Sequence, residues 1–138
     1  MAERGGAGVN VPPILYVISF GYRYDNPPVA NLVLDVRWLP NPFYQPEFHD
    51  LSGRDEPIQA WLFRTPTAQA WFEAVLGVLG PTVAQAHDHD SRAVTVAFGC
   101  QGGHDRSPAV AERFAKTMRR ADQTVFVEHR DIHHRGRG

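Results

Sequence analysis

Apolar positions along the chain fall into two rhythms. Ile14-Leu15-Tyr16-Val17-Ile18-Ser19-Phe20 is β-branched and aromatic and reads as a short buried strand. Leu32-Val33-Leu34-Asp35-Val36-Arg37 reads as a second, with Asp35 and Arg37 on one side by the two-residue period. Ala93 to Phe98 is the clearest strand, and Thr124 to Val127 the last. Between them the period lengthens. Residues 57–63 read as a short helix, and Thr65 or Thr67 caps a longer one running to about Ala86. In that helix Ala68, Trp71, Phe72, Val75, Leu76 and Leu79 form one stripe, and Gly80-Pro81 is a place for a kink or a break. A third helix opens with Ser107 as its cap and Pro108 at its first position, its buried side marked by Val110, Phe114 and either Thr117 or Met118. Strands alternating with helices predict a small layered α/β domain with a mainly parallel sheet.

The intervening segments carry the rest of the plan. Residues 1–13 form a glycine-rich lead-in ending in Pro12-Pro13. Gly21 to Pro28 is a loop, and Leu39 to Pro57, with four prolines, is a long one of the kind that serves function. The folded domain spans 14–130, and 131–138 is a basic tail that begins in character at His129. At 138 residues the chain suits one domain. Its longest apolar run is five residues, so neither a membrane span nor a signal-peptide core is present, and the expected address is the cytoplasm. One cysteine builds no disulfide framework.

The net charge of −1 hides an asymmetry. Residues 1–105 hold 11 acids and 6 Lys/Arg, net −5; residues 106–138 hold 4 acids and 8 Lys/Arg, net +4. Such a split marks either a nucleic-acid-binding end, with Arg113, Lys116, Arg119, Arg120 and Arg130 as phosphate contacts, or a solvated helix face and tail.

The chemistry concentrates in Gly99-Cys100-Gln101-Gly102-Gly103-His104-Asp105-Arg106-Ser107, between a strand and a helix. Free amides at a helix start and the helix dipole attract an oxyanion, glycines let the loop approach it, and an arginine can grip it with two donors. The bland alternative is a glycine turn serving packing alone. The C-x5-R-S spacing of Cys100, Arg106 and Ser107 also resembles the loop of protein-tyrosine and dual-specificity phosphatases. There a thiolate attacks phosphorus and an aspartate serves as acid. Asp35, Asp55 and Asp105 are the carboxylates within reach, whereas Asp88 and Asp90 precede the strand and sit too far away. A second alternative makes Cys100 a small semi-buried thiol beside the anion. His87-Asp88-His89-Asp90 lacks the further ligands of a zinc site, so no metal and no cofactor is expected. Trp38, Trp61 and Trp71 read as core and loop anchors.

A longer match decides between these readings. SFGYRYDNPPVANLVLDVRWLPNPFYQPE, SGRDEP, VTVAFGCQGGHDRSPAVAERFA and VEHRD resemble the C-terminal domain of the RapZ/YvcJ family, the RNase adapter proteins, over about four-fifths of the chain. The resemblance implies a fold similar to part of phosphofructokinase. It also implies a pocket for a phosphorylated small molecule or other oxyanion, RNA as a further partner, and oligomers among the full-length relatives, so a homo-oligomer is a partner to look for. The pocket would comprise Arg37, Asn41, Cys100, Gln101, Gly102, Gly103, His104, Arg106 and Ser107. The family loop usually reads GCTGG-x-HRS; here Gln101 replaces the threonine, Asp105 the histidine, and Phe43 stands where some relatives place a pocket histidine. No G-x-x-x-x-G-K-[ST] occurs, so the chain looks like that C-terminal domain standing alone. The expected function is an anion- or phosphometabolite-binding module with an RNA-binding adapter role, the alternative a cysteine-dependent phosphatase using Cys100, Arg106 and Asp35.

Overall fold

The computed structural model describes residues 14–88 and 93–134. Four strands, β1 (Ile14–Gly21), β2 (Leu32–Asp35), β3 (Ala93–Cys100) and β4 (Val125–His129), pair in the order β2-β3-β1-β4, and all three pairings are parallel. Three helices connect them: α1 (Glu56–Leu62), α2 (Pro66–Asp88) and α3 (Arg106–Arg120). The expected α/β class holds, and the sheet is wholly rather than mainly parallel. The lead-in, His89, Asp90 and the last four residues lie outside the described residues.

Register explains which side chains become core. Leu32, Val96, Val17 and Val127 share one row across the sheet, and Leu34, Phe98, Ser19 and His129 the next. These rows face the helices: Phe98 meets Trp71 of α2 at 6.5 Å and Phe114 of α3 at 5.6 Å between ring centroids, so both helices lie on the same face. The apolar stripe of α2 falls where periodicity placed it, with Ala68, Phe72, Val75 and Leu79 buried. On the opposite face Tyr16 stacks on Phe126 at 5.6 Å, and both remain exposed. Trp38 packs edge-on against Trp71 at 5.4 Å and Trp61 against Phe48 at 6.0 Å, the anchoring role expected of the tryptophans.

Three local expectations are corrected. The α2 helix runs through Pro81 without dividing, its next residue Thr82 donating a hydroxyl bond to Val78 C=O at 2.9 Å. Its start follows Thr65, whose Oγ1 accepts from Ala68 N at 3.2 Å. The third helix begins at Arg106, one residue before the expected cap, with Asp105 at the cap position. Ser107 sits inside the first turn because its hydroxyl is committed elsewhere, donating to Phe20 C=O at 3.1 Å. Residues 129–132 do not trail away: β4 includes His129, and Asp131 and Ile132 are buried.

A partly buried polar chain ties the last strand to the rest. His129 Nδ1 lies 2.7 Å from Ser19 Oγ on β1, and His129 Nε2 lies 2.6 Å from Glu112 Oε2 on α3. Ser19 is wholly buried, so its hydroxyl joins elements and faces no substrate. The bond from His129 holds the Glu112 carboxyl below its usual range, outweighing desolvation. A carboxyl whose folded pKa is depressed adds stability above its unfolded value, and that stability fades as pH falls through the folded value. Glu112→Gln is therefore expected to narrow the gap in urea midpoint between pH 6 and pH 3. Independently, Phe114→Ala, which empties the junction of α3 and the sheet, is expected to lower unfolding free energy by about 3–5 kcal/mol in urea titration.

Candidate functional site

In an open parallel sheet, ligands sit outside the carboxyl ends of the strands. Here that edge collects the ends of β1, β2 and β3 around the glycine loop. The chain can draw together so tightly only where side chains are missing. A Cβ on Gly21 would lie 2.7 Å from the Gly102 carbonyl carbon. Gly103 adopts φ +72°, and its Cβ would meet Gly21 N at 2.8 Å. A Cβ on Gly53 would strike Asp105 O at 2.1 Å and Ala109 N at 2.4 Å, at the opening of α3. The glycines thus serve packing, and the packing shapes the loop.

Cys100 lies beneath this loop and is only 2% exposed. Gly103 N–H donates to Cys100 Sγ at 3.2 Å, and Ser107 Oγ lies 3.2 Å from the same sulfur. With the one Ser107 proton on Phe20 C=O, the thiol is the donor to Ser107. The sulfur is a strut. Above it the backbone N–H groups of Gly102, His104, Arg106 and Ser107 find no protein acceptor among the described residues. These are the donors at a helix start that an oxyanion satisfies.

Charge around the loop differs from expectation in its details. Arg106 is buried and Nη1 donates to Arg37 C=O at 2.8 Å and to Leu39 C=O at 3.1 Å, fastening the turn after β2 to α3. The expected two-pronged grip on an anion is thereby reduced. Arg37 is the exposed cation of the cluster: it pairs with Asp35 at 2.7 Å and lies 3.9 Å from the Tyr22 ring centroid. The Arg37 hydrogen bonds pull the Asp35 carboxyl below its ordinary value, and burial pushes the Tyr22 hydroxyl up. Asp105, 4% exposed, sits 2.6 Å from His104 Nδ1, so the carboxylate that could repel an anion is turned to its neighbour. Asn41 is spent locally, its side chain accepting from Phe43 N at 3.0 Å as the cap of a 3₁₀ turn. Gln101 stays half-exposed beside the loop, and its carbonyl accepts from Arg23 N at 3.1 Å.

The five basic candidates separate. Arg130 is tied to Asp131 at 2.9 Å and to Asn26 C=O at 2.6 Å, and Arg119 donates to Val125 C=O at 3.1 Å. Arg113 lies 3.8 Å from Glu56 and 4.8 Å from the Phe63 ring centroid. Lys116 and Arg120 pair with no acid among the described residues. Sequence reasoning missed Asp131, 4% exposed, whose Oδ2 accepts from Gly21 N at 2.7 Å and from Arg130 Nε at 3.0 Å. The VEHRD stretch was its signal: a carboxylate just past a strand end has strand-end amides to hold. No metal cluster and no helix long and apolar enough to cross a membrane occurs among the described residues.

A family model for the RapZ C-terminal domain matches residues 13–133. A nucleotide-binding protein of Heliobacterium modesticaldum is 37% identical over 116 residues, 84% of this chain and 38% of that protein. One from Synechococcus sp. (strain JA-3-3Ab) is 40% identical over 112 residues, 81% of this chain and 33% of that protein. One from Bifidobacterium adolescentis is 36% identical over 118 residues, 86% and 38% respectively. The chain thus spans well under half the length of these relatives. Because Arg106 satisfies two carbonyls of the β2 turn, Arg106→Met is expected to cost about 1–3 kcal/mol of stability, read from the urea midpoint.

Proposed function

Since the chain belongs to the RapZ C-terminal domain family, we propose that it is a binding module for a phosphorylated small molecule, seated on the turn from Gly102 to Ser107. One observation carries this reading: four amide N–H groups at the start of α3 lack a protein acceptor among the described residues, beside the exposed Arg37 guanidinium. Backbone dipoles and one arginine suit a compact oxyanion. The printed name of the relatives, nucleotide-binding protein, agrees with a phosphate-bearing ligand. The match covers only part of each relative, so that name supports the ligand class and not a nucleotide at this seat.

The geometry supports binding over phosphate-ester hydrolysis. A nucleophilic thiolate needs access to phosphorus and a clamp on its oxygens. Cys100 is buried under Gly103 and Ser107, and Arg106 braces carbonyls. RNA recognition at the basic end draws less support, because three of its five candidate cations are already engaged within the protein.

Inorganic phosphate at 100 times its dissociation constant should raise stability by about 2.7 kcal/mol. Arg37→Ala, which leaves the bracing carbonyl of residue 37 in place, should weaken phosphate binding about tenfold by the loss of a charged hydrogen bond. Cys100→Ser should keep binding, and neither form should hydrolyse p-nitrophenyl phosphate. A melting temperature indifferent to phosphate and sulfate, or turnover abolished by Cys100→Ser, would overturn the reading.

A further inference from the structure

A cleft of about 390 Å³ opens between α1, α2 and α3, on the helical side of the domain and apart from the glycine loop. Its size is that of small-ligand sites. One wall is basic: Arg113, Lys116 and Arg120 recur along α3 at helical spacing. The facing walls bring Gln59 and Glu73 from α1 and α2.

Gln59 separates this cleft from an ordinary gap between helices. Only 6% exposed, it spends its amide nitrogen on Gly53 C=O at 3.0 Å, which fixes the side chain in place. Its Oε1 receives no donor among the described residues, although the residue lines the cleft. A buried amide oxygen left without a donor is costly, and a ligand hydroxyl would relieve it. Nearby, Thr117 has given its proton to Arg113 C=O at 2.9 Å and so offers the cleft only an acceptor. Lys116 and Arg120 hold positive charge unpaired by any described acid. Arg113, by contrast, is partly compensated by Glu56 at 3.8 Å.

We propose that this cleft is a second ligand site, independent of the glycine loop, for a small oxyanion that also carries hydroxyl groups. The oxyanion meets Lys116 and Arg120. The hydroxyls donate to Gln59 Oε1, Thr117 Oγ1 and the Glu73 carboxylate, acceptors that a bare anion leaves unsatisfied. The class is thus set by a pairing of two cations with several acceptors.

The test is a titration of the ¹⁵N-labelled full chain with glycerol 3-phosphate, and separately with propyl phosphate, an ester without hydroxyls. Glycerol 3-phosphate should shift the Gln59 side-chain NH₂ and the Thr117 amide saturably, and propyl phosphate should do so at least fivefold more weakly. The double variant Lys116→Glu/Arg120→Glu changes two exposed side chains. It should weaken the Gln59 and Thr117 response at least tenfold while leaving any response of Gly102 and Gly103 unchanged. Cleft signals that stay still, or that move equally in the double variant, would overturn the proposal. Equal affinity for the two esters would overturn the hydroxylated class. Movement confined to Gly102 and Gly103 would sink the cleft and leave the glycine-loop seat standing; movement confined to the cleft would do the reverse.

Discussion

The crossing of two backbones at the carboxyl edge of the sheet is the constraint on which the rest depends. Gly21, where β1 ends, lies against Gly102 and Gly103, with no room for a side chain at Gly21 or Gly103. A close crossing brings polar backbone groups out of water, and each must find a partner. Gly21 N–H finds Asp131, the Phe20 carbonyl finds Ser107, and Gly103 N–H finds the Cys100 sulfur. Asp131 in turn requires Arg130, which reaches on to the carbonyls of residues 21, 25 and 26. One steric decision at Gly21 and Gly103 thus recruits a cysteine, a serine, an aspartate and an arginine into holding a shape.

Elements with a strong period were legible in the sequence. The α2 stripe needed only the helical period, β1 and β3 only their β-branched and aromatic runs, and the register then assigned the core. The candidate loop was legible as a location, because strand, glycines and helix start occur in order. The tasks of its side chains were not. Arg106 and Ser107 read as ligand contacts because their local spacing is that of a ligand loop. Their actual partners, Arg37 and Leu39 for one and Phe20 for the other, lie 67 to 87 residues away in sequence. A one-dimensional pattern carries no information on such pairs. The same limit hid the link from His129 to Ser19, which spans 110 residues.

The same cause separates the basic candidates. A run of cations in the last third of the chain reads as a patch, yet several of its described members bond within the protein. Arg119 caps the strand beside it, and Arg130 braces the loop after β1. Among the described residues, Lys116 and Arg120 pair with no acid, and both border the interhelical cleft along α3. Net charge in a segment counts side chains; available charge counts only those the fold has not already used.

The bracing role of Arg106 bears on what the loop can recognise. A guanidinium that fastens two carbonyls is fixed in space and adds positive potential without offering its full set of donors. Directed hydrogen bonds to an anion at the proposed seat then come from the backbone of residues 102 to 107 and from Arg37, and backbone amides favour a small, symmetric oxyanion over any particular carbon skeleton. In the proposed reading, discrimination among phosphate esters falls to half-exposed Gln101 and His104. That reading divides affinity between the buried turn and Arg37, and it leaves selectivity to side chains outside the crossing at Gly21.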